Sequence, residues 1–398
     1  MAPDPSHFRR RLAAAALAGF CAFLSFYAPQ PLLPKLASEF HTSATAISLV
    51  ITASALAVAA LSPFAGMAAD RWGRKTVIIP AAFLVAVPSA LASTSTSVAQ
   101  LVFWRFLVGV FTPGISVVTA AYINEEWQEG VGSAVAAYVA GTILGGFSGR
   151  MIAGLIAARF SWRAALVSLA VVNALGATGV WAWLPPGRRF KRAASGRATA
   201  AAMAAHLRNP QLVATYAVGF CVLFSMLATF TYVNFYLAGP PFFLSTAALG
   251  MIFVVYLAGA VGTLVAGRWI DRRGHRFVIT VAFAGGIGGI LLTLVPSLPA
   301  ILFGLALCCT AVFAAQSAST SYIGIVAREA RAAAVGLYNL FYYIGGSLGA
   351  AVGGRFWSAG GWPACVGLIA AVQLTTITLA AVFWQPGKRS RLAIRSSS

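Results

Sequence analysis

Hydrophobic residues in this chain run in long unbroken blocks separated by short polar and basic stretches. A helix needs about 20 apolar residues to cross a bilayer. Twelve blocks meet that length: residues 12–34, 46–68, 76–94, 100–122, 131–157, 164–184, 210–238, 246–267, 277–296, 300–326, 332–357 and 362–385. The pattern predicts an all-α integral membrane protein with twelve transmembrane helices, here called spans 1 to 12. The longest polar stretch, Pro185 to Asn209, follows span 6. It divides the chain into an N-terminal six-helix bundle (1–184), a cytoplasmic linker (185–209) and a C-terminal six-helix bundle with a short tail (210–398). The Ala-rich end of the linker suits a surface helix. Arg9, Arg10 and Arg11 before span 1 imitate a signal peptide, but eleven further spans follow, so span 1 is read as retained.

Composition excludes the soluble classes. Of 398 residues 60% are hydrophobic and 9% charged, against about 25% charged in soluble domains. There is too little polar sequence to cover a water-facing surface, and too much apolar sequence for disorder. The net charge of +20 is a topology signal. With both termini cytoplasmic, 22 of the 28 Lys and Arg fall in inner segments: Arg9 to Arg11; Arg71, Arg74 and Lys75; six between Arg188 and Arg208; Arg268, Arg272, Arg273 and Arg276; Arg328 and Arg331; and four in the tail from Lys388. The positive-inside rule requires that bias. The basic residues therefore mark the cytoplasmic side of an inner membrane, and no nucleic-acid partner is expected. The five cysteines lie inside apolar blocks without a C-x-x-C or Cys/His spacing, and His7, His41, His206 and His275 lie outside them. Neither a metal site nor a disulfide is expected. No glycine-lysine phosphate loop is present, so no nucleotide drive is expected.

The two halves repeat. Shifting the sequence by 201 residues places Gly66, Asp70, Arg71 and Gly73 of GMAADRWGRK on Gly267, Asp271, Arg272 and Gly274 of GRWIDRRGHR. Shifting by 200 pairs span 5 with span 11 through Tyr138/Tyr338, Gly145/Gly345, Gly146/Gly346, Gly149/Gly349, Gly154/Gly354 and Trp162/Trp362. Two separate motifs in one long-range register are more than shared glycine content. A parallel repeat of six plus six spans is what a rocking two-bundle carrier needs.

On these motifs the chain resembles the major facilitator superfamily over essentially its whole length, and most of all its bacterial efflux branch of inner-membrane transporters. FYAPQPLLP in span 1 and GLYNLFYYIGGSLGAAVGGRFW in span 11 carry the likeness to that branch. GMAADRWGRK fits the superfamily's loop 2–3 signature, G-x-x-x-D-R-x-G-R-K, at every defined position. LVFWRFLVG resembles the span 4 signature built around an embedded arginine, here Arg105. Gly132, Gly141, Gly145, Gly146 and Gly149 resemble the span 5 antiporter signature, which is departed from at Gly146, where it has proline, and at Arg150, where it has glycine.

The resemblance implies a conformational latch at the loop signatures, involving Gly66, Asp70, Arg71, Gly73, Arg74 and Lys75 and, by symmetry, Gly267, Asp271, Arg272 and Gly274. In it Asp70 favours the positive end of span 11, while the glycines allow a tight turn and close helix approach. It also implies a substrate cavity lined chiefly by spans 1, 4, 7 and 10, with spans 2, 5, 8 and 11 beside them. Candidates are Tyr27 and Gln30 in span 1; Tyr232, Asn234 and Tyr236 in span 7; Gln316 in span 10; and Tyr338, Asn339, Tyr342 and Tyr343 in span 11. The glycine runs 145–149 and 345–349 read better as close helix packing than as ligand contacts.

Arg105 and Arg150 are unusual because each lies within a span, on its outer side. A charge in the hydrocarbon costs about 2.5 kcal/mol or more unless it meets a wet cavity or a partner, and no predicted span contains Asp, Glu or His. Backbone carbonyls, water, Tyr or Asn, or the solute must answer them. Two readings stand: a cationic site favouring an anionic or polar solute, or Arg105 as a structural anchor with Arg150 snorkelling outward. Arg355, nearer the end of span 11, reads as snorkelling. The expectation is a monomeric secondary transporter moving a small organic solute by alternating access, exporting it against proton import. The proton gradient supplies the energy and no cofactor is required. The alternatives are an uptake or exchange carrier for an organic anion and, behind it, a membrane enzyme or a sensor.

Overall fold

The computed structural model describes residues 5–127, 130–185, 187 and 196–385, with side chains from residue 8 onward except at 196–200. Fourteen α-helices follow one another: α1 Pro5–Leu24, α2 Leu33–Glu39, α3 Ala44–Trp72, α4 Arg74–Leu91, α5 Val98–Glu126, α6 Val131–Arg159, α7 Trp162–Trp183, α8 Gly196–His206, α9 Pro210–Ala238, α10 Thr246–Ile252, α11 Val255–Arg273, α12 His275–Leu292, α13 Leu298–Val326 and α14 Arg331–Phe383. Among the described residues ten helical stretches are long and apolar enough to cross a membrane, counting α10 with α11 and counting α14 once. Their outward faces carry large apolar side chains such as Phe64, Leu175 and Leu264, which suits a hydrocarbon solvent and not water.

Local sequence sets the helix ends. Ser43, Ser97, Ser161 and Ser245 cap α3, α5, α7 and α10, each hydroxyl accepting the amide three residues on at 3.0–3.3 Å, the usual way to satisfy a first-turn donor. Gly73 and Gly274, at φ of 94° and 85°, reverse the chain between α3 and α4 and between α11 and α12. A side chain would be strained at both places.

Several predicted boundaries are corrected. Span 1 is not one helix to residue 34: α1 stops at Leu24, and a turn and a short 3-10 stretch, Gln30–Leu32, precede α2. Pro29, Pro31 and Pro34 remove donors and restrict their predecessors, so an α-helix cannot run through them. Span 8 is interrupted at Phe253–Val254, between α10 and α11. Spans 11 and 12 form the continuous run α14, broken internally at Gly360 and Gly361, the latter at φ 62°. Finally, α3 and α5 extend four residues past the predicted spans, to Trp72 and Glu126. The apolar pattern ends at the first charge, whereas the helical backbone continues to the next residue that leaves helical geometry, so Asp70, Arg71, Glu125 and Glu126 lie in last helical turns.

The chain packs as two compact units. The first comprises Met1–Ala194 with Leu237–Gly239 and Phe243–Phe253; the second comprises Ser195–Tyr236, Pro240–Phe242 and Val254–Ser398. In the first unit α1 lies on α6 and α7, α5 on α3 and α4, and α10 on α6; in the second α13 packs on α11 and α12, and α12 on α14. The internal repeat recurs in the packing. A Cβ added at Gly141, Gly145 or Gly149 would strike the carbonyls of Ala16, Phe20 and Leu24 on α1; at Gly345 or Gly349 it would strike those of Phe220 and Phe224 on α9. The Gly145 and Gly149 contacts obey the 200-residue shift, whereas the counterpart of Gly141 is Phe341. In each unit a tyrosine also ties two helix ends together: the Tyr122 hydroxyl donates to the Pro185 carbonyl at 2.9 Å, and the Gln385 amide donates to the Tyr322 hydroxyl at 3.0 Å.

Candidate functional site

The break after α1 creates the most distinctive polar site of the first unit. Where the helix ends at Leu24, the carbonyls of the following turn lose their helical donors. The Phe26 carbonyl accepts from Arg105 Nη2 of α5 at 2.5 Å. Arg105 is 1% exposed, and its Nε is buried without a hydrogen-bond partner. Its position is fixed by close packing: Ser54 of α3 donates to the Arg105 carbonyl at 2.8 Å, and Gly109 lies against the Ser54 carbonyl.

Arg150 of α6 is fully buried. Its Nε donates to Gln30 Oε1 at 2.7 Å and its Nη1 to the Gly146 carbonyl at 2.7 Å. The guanidinium lies over the Tyr27 and Phe253 rings, 4.6 Å from each centroid. These partners answer the cost of a buried cation: charge-assisted hydrogen bonds contribute about 1.5–3 kcal/mol each, and a desolvated cation–π contact about 2 kcal/mol. Snorkelling of Arg150 is therefore corrected, because the side chain turns back onto its own unit. Arg355 is exposed. Gly146 belongs to the same device, since a Cβ there would sit 3.3 Å from Arg150 Nη1.

Tyr27 and Gln30 are thus brought together with Arg150, from the turn and the start of the 3-10 stretch after α1 and not from the helix expected for span 1. The sequence reading missed two contributors: the Phe26 carbonyl and the Phe253 ring. The prolines around Gln30 were the available signal for the first. Phe253, at a break with no proline or glycine, carried none. Near the C-terminal end of α6, Gly154 meets Thr246 and Gly250 of α10, and Lys35 donates to the Ala157 carbonyl at 2.7 Å.

At the basic-loop end of the first unit, Arg74 joins three helices. It meets Asp70 of α3 at 2.7 Å and grips Glu125 of α5 through Nη2 and Nε at 2.5 and 2.9 Å. Glu125 is a carboxylate in the last turn of α5, holding Arg74. The second unit lacks this network. His275 stands at the position of Arg74, its ring 3.0 Å from the Ser321 hydroxyl, and Asp271 and Arg272 are exposed without an ion pair among the described residues. Arg71 is likewise exposed, whereas Lys75 is half-buried. Close helix approach is corrected for Gly66 and Gly267: no atom lies within 4 Å of an added Cβ at either.

The cavity candidates of the second unit separate by what they already bond. Tyr232 donates to the Ala350 carbonyl at 2.5 Å and packs on Gly353, so its hydroxyl is committed within the unit. Tyr338 packs on Gly219 and stacks with Tyr342, which meets Tyr343 edge-on. Tyr236 stacks on Trp362 at 5.8 Å. Asn234 donates to the Phe230 carbonyl at 2.6 Å and keeps a buried Oδ1 without a partner. Gln316 and Asn339 are half-buried. Two buried amides were overlooked: Asn173, which donates to the Ala82 carbonyl at 2.9 Å, and Gln373, whose amide atoms are buried without partners. They are related by the 200-residue shift, which was the signal that could have found them.

The family model of the Major Facilitator Superfamily matches residues 15–323 and again 242–396. The chain is 31% identical over 375 residues to the uncharacterised MFS-type transporter YybF of Bacillus subtilis (strain 168), covering 94% of this chain and 93% of that protein. It is 32% identical over 376 residues to the inner membrane transport protein YnfM of Escherichia coli (strain K12), covering 94% and 89%. Among solved structures, a mutant of the nucleoside transporter NupG superposes with a TM-score of 0.76 at 16% identity, covering 94% of this chain and 99% of that one. A bacterial homologue of the human lysosomal transporter Spinster, inward-facing and occupied, superposes with a TM-score of 0.75 at 16% identity, covering 96% and 95%.

Proposed function

The chain belongs to the major facilitator superfamily, a family of non-enzymatic carriers, and on that premise we propose that it exports a small organic solute across the inner membrane against proton import. In this reading twelve crossings form two six-helix bundles that alternate access, both termini are cytoplasmic, and the protein works as a monomer drawing on the proton gradient. The single observation that carries export is the glycine seam of α6, with Gly141, Gly145 and Gly149 pressed on consecutive carbonyl turns of α1. It gives the antiporter-like sequence signature a physical role in close packing. Asp70, Asp271 and the loop residues beside them act as conformational latch groups. The polar groups of Gln30, Asn234, Gln316 and Asn339 are the solute contacts, with Tyr236, Tyr338, Tyr342 and Tyr343 supplying aromatic faces.

Arg105 favours a second reading, uptake or exchange of an organic anion. A buried guanidinium with one backbone acceptor and an unpartnered Nε retains a donor for a carboxylate or phosphate. Among the described residues no carboxylate forms an ion pair with Arg105. A proton would then move with the solute's own acidic group or through Asp70. Accumulation of a labelled solute in everted but not right-side-out vesicles, abolished by a protonophore, supports export. Accumulation only in right-side-out vesicles overturns it.

A further inference from the structure

The first unit holds a cavity of about 540 Å³ at its basic-loop end, lined by Trp72, Lys75, Thr76, Ile79, Pro80 and Trp181 together with the backbone at the start of α4 and at Gly187. It is separate from the Arg105 and Arg150 cluster, and although Gly73, Arg74 and Lys75 of the loop signature border it, the latch reading gives the space itself no occupant. Its lining combines cationic, apolar and aromatic groups. Arg74 borders it, but that guanidinium is committed to Asp70 and Glu125. Lys75 has no ion-pair or hydrogen-bond partner among the described residues. The first amides of α4 follow Gly73, and no side chain caps them, so the positive end of an 18-residue helix faces the same space. Ile79 and Pro80 lie a helical turn further along and are apolar. Trp72 and Trp181 form the walls and are 62% and 59% exposed, so their rings are not covered by protein. Glu126 lies beside Gly187, its Oε1 3.3 Å from an added Cβ there, so Lys75 and the α4 amides, and not the Gly187 border, are the favourable seat for an anion.

From this arrangement we infer that the cavity binds the headgroup of an anionic phospholipid. The phosphate seats on Lys75 and the α4 amides, and an acyl chain runs over Ile79 and Pro80 between the two tryptophans. A soluble anion would use the cationic end alone and leave the apolar floor and exposed indoles idle. A lipid uses both, and tryptophans at a membrane interface are suited to that boundary. The occupant is therefore a lipid of the leaflet that meets the basic loops.

The test is native mass spectrometry of the purified full chain in neutral detergent, titrated in separate arms with phosphatidylglycerol, phosphatidylcholine and inorganic phosphate at equal concentration. The expected result is at least fivefold greater retention of phosphatidylglycerol than of phosphatidylcholine, with phosphate failing to displace it. Lys75→Gln and Trp181→Ala, which remove the cationic and an aromatic part of the lining, each lower that retention at least fivefold. Arg71→Gln, which removes the same charge from an exposed site outside the cavity, leaves it within twofold. Equal retention of the two lipids by the unaltered protein overturns the inference without recourse to any variant. So does displacement by phosphate, or an Arg71→Gln loss as large as that of Lys75→Gln.

Discussion

Arg150 allows the energetic reading to be tested against intuition, because two substitutions that look ordered by charge should act in the opposite order. Replacing it with methionine removes the hydrogen bonds to Gln30 and Gly146, at 2.7 Å each, and both ring contacts at 4.6 Å. At about 1.5–3 kcal/mol per charged hydrogen bond and about 2 kcal/mol per desolvated cation–π contact, the gross loss is about 7–10 kcal/mol. Against that, burying the ion costs several kcal/mol, a cost methionine does not carry, and an apolar chain of similar length keeps the packing against Tyr27 and Phe253. The net destabilisation should be about 2–4 kcal/mol. Lysine keeps the ion and its desolvation cost, but as a point charge it cannot span Gln30, the Gly146 carbonyl and two rings together. It should cost about 4–6 kcal/mol. The five cysteines are free and buried, so a thiol-reactive fluorophore reports thermal unfolding in detergent directly. The expected order of apparent Tm is wild type, then Arg150→Met, then Arg150→Lys. If lysine proves as stable as the native arginine, the four-contact account of this residue is wrong.

The glycines give two further contrasts. Gly145→Val places a branched side chain on the Phe20 carbonyl of α1 and should cost several kcal/mol, seen as loss of the monodisperse peak in fluorescence size-exclusion chromatography. Gly66→Ala meets nothing within 4 Å and should leave apparent Tm unchanged or slightly raised, whereas Gly73→Ala, at φ 94°, should lose about 1–2 kcal/mol. At the loop end, Asp70→Asn should insert and express normally yet transport poorly; unchanged flux at equal expression would remove Asp70 from the latch. Glu125→Gln loses the charge that Arg74 grips with two nitrogens and should lower apparent Tm by more than Glu39→Gln, whose partner Arg163 is an exposed pair at 3.3 Å.

What the sequence made legible followed from periodicity and from charge. Apolar blocks located the helices, and the register of Gly145 with Gly345 anticipated a packing relation that recurs on α1 and α9. What it concealed was backbone. Tyr27 and Gln30 were visible as polar residues in an apolar block, but their meaning depends on the helix having already ended at Leu24. That ending turns the Phe26 carbonyl into an acceptor no side-chain pattern displays. Phe253 was invisible for a different reason. It reaches Arg150 across a sequence separation that no local signal spans, from a break in span 8 that hydropathy averages away. Glu125 lies past the predicted end of span 4 because charge marks the end of a hydropathic block about one turn before the helix itself stops.

The two departures from the antiporter signature, Gly146 and Arg150, have one physical cause. An arginine at 150 can fold back only if position 146 leaves room beside its guanidinium and offers a carbonyl in line. A bare Gly146 does both: the added Cβ would stand 3.3 Å from Nη1, while the carbonyl accepts at 2.7 Å. Proline at 146 would place ring atoms where the guanidinium lies, and would remove the amide that α6 donates one turn back. Glycine at 150 would leave the Gly146 carbonyl with its helical donor alone and Gln30 Oε1 buried without a partner, at a cost of about 1–3 kcal/mol. The substitutions are therefore coupled. Gly146→Pro should be far more damaging with Arg150 present than in an Arg150→Gly background, a coupling that a double-mutant cycle on apparent Tm would detect. Additive effects would mean that the two positions diverged from the signature independently.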